Sequence, residues 1–96
     1  MYDAKRWLPT TIQKVWQKAV WVSAENEVRG FRQDVCGAWI QFDQHGNRNG
    51  KYGWEIDHIK PVARGGLDMF DNLQPLHWEN NVGKADSISW SCAVKA

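Results

Sequence analysis

Cysteine is scarce in this chain of 96 residues: only Cys36 and Cys92 are present. Two cysteines so far apart make no disulfide framework of the kind small secreted domains use, and no Cys-x-x-Cys pair announces zinc. They are read as two partly buried free thiols. Long apolar runs are lacking too. The longest, Ala19-Val20-Trp21-Val22, falls far short of a membrane span, and Met1 to Arg6 does not lead into an apolar secretory core. These absences predict a cytoplasmic protein with no membrane partner. An excess of charge of one sign is also missing: twelve basic against eleven acidic residues leave +1. Global charge therefore advertises no polyanion, and any such partner must be read from a local site. No internal repeat or low-complexity segment occurs. With 43% apolar and 24% charged residues the disordered, collagen-like and coiled-coil classes are excluded. Tryptophan is what the chain has in plenty, seven in a single small domain, where large aromatics let few residues bury much surface.

The spacing predicts a helix opening with a capping box at Thr10 and Gln13, preceded by Pro9 and carrying Ile12, Val15, Trp16, Ala19 and Val20 at helical intervals. Ser23 to Asp34 is polar, mixed in charge, and reads as a connector. Ala38, Ile40 and Phe42 alternate with Trp39, Gln41 and Asp43 as a half-buried strand does. Gln44 to Gly50 is turn chemistry, and Tyr52 to Ile59 is a second strand that stops before Pro61, so the two strands are expected to form a hairpin with a long tip. A loop runs from Arg64-Gly65-Gly66 through Asp71-Asn72. A short helix over about 78–86 would then put Trp78, Val82 and Ala85 on one stripe and His77, Asn81 and Lys84 on a polar flank. From Ser87 to Lys95 the alternation of Ile88, Trp90, Cys92 and Val94 predicts a terminal strand. The class is α+β in one domain: helix and connector over 1–34, a core over 35–86, a strand over 87–96.

The chemistry-bearing residues fall between Gly53 and Asp86. Asp57-His58 is followed by Pro61, Gly65-Gly66 and Asn72-Leu73, then by Asn80-Asn81 and Lys84, with thirteen residues between His58 and Asn72 and eight between Asn72 and Asn81. This ordered set resembles the HNH endonucleases, the ββα-metal nucleases, whose core is a β-hairpin packed on a short helix. The stretch Glu79 to Asp86 is particularly similar to the HNH domain of CRISPR effector nucleases. The resemblance implies hydrolysis of DNA phosphodiesters, double-stranded DNA being the expected partner, with 5′-phosphate and 3′-hydroxyl products. A competing reading keeps the ββα scaffold as a nucleic-acid-binding or assembly module without turnover.

The residue types suit that reaction. A neutral imidazole can take a proton from water near neutral pH, which assigns His58 as general base. Asp57 and Asn81 offer hard oxygen ligands to one divalent metal, expected to be Mg²⁺ or Mn²⁺. Neighbouring strand residues point to opposite faces, so Asp57 and His58 can share a phosphate only if the chain leaves the sheet there, as Pro61 predicts. Asn72 would hold this irregular loop and so position His58. Lys84, Arg64 and Lys60 are expected to contact nucleic acid, and His77 either to line the site or to cap the helix. Many relatives carry a structural zinc on two Cys-x-x-Cys pairs. The equivalent positions here are Cys36, Trp39, His77 and Asn80; indole offers no ligand, so no structural zinc is expected and Trp39 and Trp78 are expected to hold that corner by packing.

Overall fold

The computed structural model describes residues 6–96, and the Met1–Lys5 opening read above lies outside them. Helix α1 spans Pro9–Trp16. It does not begin with the expected capping box: Leu8 is the N-cap, makes no side-chain bond, and Pro9 opens the first turn, where a missing N–H is harmless because first-turn donors lack intrahelical partners anyway. Val15, Trp16 and Ala19 are buried and join Ile40, Trp54, Ile56 and Leu73 in the apolar core. Trp16 packs against Phe42 and Trp54 with ring centroids 5.5 and 5.2 Å apart.

The connector expected over Ser23 to Asp34 is structured. Ser23 caps a short helix α2 (Ala24–Val28), its hydroxyl accepting from the Asn26 N–H at 3.1 Å. Strand β1 (Phe31–Gln33) follows and pairs antiparallel with β2 (Trp39–Gln41). The strand read around Ile40 therefore forms, but its partner precedes it. Strand β3 (Trp54–His58) pairs antiparallel with β4 (Leu73–His77), with Trp54 opposite His77 and His58 opposite Leu73. The hairpin expected between β2 and β3 is replaced by these two. Strand β4 was hidden because Pro75 lacks a ladder donor and because Leu73, Pro75, Leu76 and His77 are all buried, which erases alternation. Helix α3 (Trp78–Lys84) follows at once. Strands β3 and β4 with α3 make a ββα core, and the fold is α+β. Among the described residues no helix is long and apolar enough to cross a membrane.

The strand expected after Ser87 is absent, and the tail is irregular. Asn80 explains why its backbone needs no ladder there. Its Oδ1 accepts from the Ala93 and Val94 N–H groups at 2.8 and 2.7 Å, and its Nδ2 donates to the Val94 carbonyl at 2.9 Å. Cys36 and Cys92 are not free thiols: they form a disulfide across a Cα separation of 5.8 Å, joining the β1–β2 turn to the tail. Residues 56 apart in sequence are brought together by the fold, which sequence distance alone could not show.

Asp34 organises the same corner. Its buried carboxylate accepts from the Cys36 and Ala38 N–H groups through Oδ1, and from the His77 N–H and Asn80 Nδ2 through Oδ2, all at 2.9 Å. Four donors around one carboxylate bind the β1–β2 turn to the start of α3. The positions compared with a zinc knuckle are thus otherwise employed, Cys36 in the disulfide and His77 and Asn80 in hydrogen bonds. Trp39 packs edge-on against Phe31, and Trp78 donates its indole N–H to Gly50. Trp78 also stacks on His77 with ring centroids 6.0 Å apart, so the two tryptophans pack at the corner as expected, with Asp34, Asn80 and the disulfide added to them.

Candidate active site

Residues two apart on a strand share a face, so β3 presents Glu55 and Asp57 together towards α3. From the helix, Asn81 Nδ2 donates to Glu55 Oε1 at 2.6 Å, and Lys84 Nζ lies 3.2 Å from Asp57 Oδ1. The Arg48 guanidinium grips both oxygens of Glu55, and Gln74 Nε2 donates to Asp57 Oδ2 at 2.9 Å. The layer between β3 and α3 is therefore ionic. This inverts the helix expected from sequence: Asn80 and Lys84 are buried, while Val82, assigned to an apolar stripe, is 53% exposed. Two carboxylates on the strand draw in the amide and ammonium that answer them, and the apolar flank is left outside.

Asp57, His58 and Asn81 line one cleft of about 520 Å³, together with Arg6, Trp7 and Arg48. Asp57 and His58 are both still paired in β3, and the chain leaves the sheet just after them. Strand β3 ends at His58, the chain bends at Ile59 and Lys60, and Pro61 leads into a 3₁₀ turn over Val62–Arg64. Asn72 clamps this departure: its Oδ1 accepts from the Lys60 N–H at 2.8 Å, and its Nδ2 donates to the Lys60 and Leu67 carbonyls at 3.0 Å each. Gly66 completes the clamp, since a Cβ there would stand 1.7 Å from the Lys60 carbonyl oxygen. Any side chain would force the loop open.

Burial pushes the Asp57 carboxyl above its usual range, against the opposing pull of the Gln74 hydrogen bond and the Lys84 ammonium. Such a group gains from a further positive charge. Asn81 commits its amide nitrogen to Glu55, which leaves its oxygen as the atom it can offer a cation. Among the described residues no group of three His, Cys, Asp or Glu side chains is placed to hold a metal. A cation in this cleft would thus have a carboxylate, an amide oxygen and water around it, and these donors fit a hard ion that keeps much of its hydration.

His58 Nε2 lies 2.6 Å from Asp68 Oδ1, and Arg6 donates to both oxygens of Asp68 at 2.9 Å. The His58 hydrogen bond and then Arg6 hold the Asp68 carboxyl below the usual carboxylate range. Neither Asp68 nor Glu55 was singled out from sequence. The period of the strand could have shown Glu55, whereas Asp68, in a loop ten residues on, had no local signal. The nucleic-acid contact expected of Lys84 is corrected, and of the two readings of His77 the structure takes the helix cap. Lys84 is 1% exposed and spends its ammonium on Asp57 and on the His58 carbonyl at 2.8 Å, so it cannot reach a phosphate as the fold stands. His77 is 2% exposed; its Nδ1 accepts from the Glu79 N–H at 3.1 Å, capping α3, and its Nε2 donates to the Lys51 carbonyl at 2.7 Å. Lys60 and Arg64 are exposed but lie outside the cleft lining, and Arg64 Nε donates to the Asp86 carbonyl at 2.7 Å.

A family model described as HNH endonuclease matches residues 36–87, which spans β2 and the whole ββα core. No curated protein and no solved structure matches the chain.

Proposed function

Since the chain belongs to the HNH endonuclease family, whose members generally act on DNA with a divalent metal, we propose that it is a metal-dependent endonuclease that hydrolyses DNA phosphodiester bonds in the cleft beside His58. The observation that carries this reading is the shared cleft: His58, Asp57 and Asn81, drawn from the strand end and the helix, all line it. His58 acts as general base, taking a proton from the water that attacks phosphorus. The new P–O bond forms as the bond to the 3′ oxygen breaks, leaving a 5′-phosphate and, after protonation from solvent, a 3′-hydroxyl. Asp57 and Asn81 would hold the metal, Mg²⁺ or Mn²⁺. When bound, it supplies positive charge at the phosphoryl oxygens and leaving oxygen. Asn72 keeps the loop after His58 closed on itself, so the imidazole stays against the cleft. Lys60 and Arg64, exposed on that loop, would meet the backbone of double-stranded DNA approaching the rim.

One observation favours the second reading, a nucleic-acid-binding or assembly module without turnover: Lys84 already compensates the charge of Asp57. Plasmid nicking with Mg²⁺, Mn²⁺ or Zn²⁺, run beside His58→Ala, separates the two. Nicking by the parent with Mg²⁺ or Mn²⁺, reduced about 100-fold or more in the variant, supports the nuclease. A parent that binds DNA and never cuts it with any of these ions establishes the binding module.

A further inference from the structure

We propose that Asp68 is a positioning residue for His58, fixing the imidazole as the Nε2–H tautomer and leaving Nδ1 as the nitrogen that accepts the proton. The chemistry rests on the nuclease reading above; the geometry does not.

Asp68 Oδ1 stands 2.6 Å from His58 Nε2, and this is the hydrogen bond of the His58 ring among the described residues. A carboxylate held below its usual range is an acceptor only at neutral pH, so the hydrogen of this bond must sit on Nε2. A neutral imidazole carries one N–H, and Nδ1 is then left with the lone pair. His58 lines the cleft and its Nε2 is taken up by Asp68, so Nδ1 is the ring nitrogen left to act on water. Two further contacts hold the arrangement. Trp7 lies against the imidazole, with ring centroids 5.7 Å apart and planes at 42°, and Lys84 secures the backbone of the same residue through the His58 carbonyl.

Arg6 makes the device directional. It donates to both oxygens of Asp68, and guanidinium can only donate. In Asp68→Asn the amide oxygen would be drawn to Arg6 and the amide nitrogen turned to His58. That nitrogen is also a donor only, so Nε2 would have to accept and the ring hydrogen would move to Nδ1. The base would then present a proton where it needs a lone pair, the wrong-tautomer outcome known for an Asp-to-Asn change beside a catalytic histidine.

Nitrogen-15 labelled protein, with the His58 ring nitrogens observed by multiple-bond correlation NMR, tests this alongside nicking kinetics in Mg²⁺ or Mn²⁺. The parent should show the Nε2–H tautomer and Asp68→Asn the Nδ1–H tautomer. The same variant should lose about 100-fold or more in kcat with KM changed less than about threefold, as expected when a transition-state interaction is lost. Asp68→Glu should restore the parental tautomer and most of kcat. Asp68 is 55% exposed, so neither change threatens the fold. An Nε2–H ring that persists in Asp68→Asn, or an unchanged kcat, overturns the proposal. If the parent fails to cut under any divalent ion, the nuclease reading falls, and the tautomer comparison still decides the role of Asp68.

Discussion

Opening the Cys36–Cys92 bond should cost this chain a large part of its stability. The bond closes a loop with a sequence separation of 56, and in the chain-entropy account the denatured ensemble recovers about 14 cal/mol/K when such a loop is released, or about 4 kcal/mol at 25 °C. Small domains hold about 5–15 kcal/mol in total. The native contacts of the tail survive the cut, because Asn80 binds Ala93 and Val94 through its own side chain. The loss is therefore an effect on the unfolded chain. Urea titration of the parent under oxidising conditions, of the parent with reductant, and of Cys92→Ser reads it directly. With a slope of about 2 kcal/mol/M the midpoint should fall by about 2 M, and the slope itself should rise, since an open chain exposes more surface on unfolding. Reduced parent and Cys92→Ser should coincide. A difference below about 1 kcal/mol between oxidised parent and variant would refute the loop-closure reasoning. The same measurement bears on surroundings: a reducing cytoplasm would strip the chain of this tie, so the bond and the cytoplasmic expectation pull in opposite directions.

Asp34→Ala should destabilise the fold by about 4 kcal/mol in thermal or urea unfolding, because three backbone N–H groups and the Asn80 amide lose a buried acceptor together; Asp34→Asn, which keeps one oxygen, should lose less, and equal losses would count against the hydrogen-bond account. Burial against Trp54 holds the His45 imidazole below its ordinary pKa, with Glu55 pulling the other way. The fold thus prefers the neutral ring, and this share of stability is complete above the unfolded value of about 6.5 and lost as pH falls through the lowered folded value. Urea midpoints should drop between pH 7.5 and pH 5.5 in the parent and drop less in His45→Gln; a steeper fall in the variant would contradict it.

What was legible in the sequence is what depends on short-range spacing. The interval from His58 through Asn72 to Asn81 lies within one supersecondary unit, and Ile12, Val15 and Trp16 mark one face of α1, which stops short of the Ala19 and Val20 expected to continue it. Both readings rest on residues whose neighbours in space are near in sequence. Strand partners are not of that kind: β1 hid in a polar stretch and β4 behind Pro75, so the pairing of β3 was assigned to the wrong side of the turn. The α3 stripe failed for a different reason. Periodicity says which residues share a face and is silent on which face turns inward, and the usual rule that the apolar face does so is overridden by Glu55 and Asp57 waiting on β3. Asp34 gathers donors from residues 36, 38, 77 and 80, and Asp68 meets His58 and Arg6. Side chains that act through long-range partners leave no periodic trace.

The wall formed by β3 and α3 pairs its acids with bases one for one: Glu55 meets Arg48, and Asp57 meets Lys84. A dication taken up by Asp57 and Asn81 would add two positive charges to that wall, and the cleft would then attract a polyanion more strongly. Thermodynamic linkage makes the effect mutual, so nucleic acid would tighten the hold on the ion by the same factor as the ion tightens the hold on nucleic acid. Balanced in this way, the cleft would couple its two occupants through charge alone.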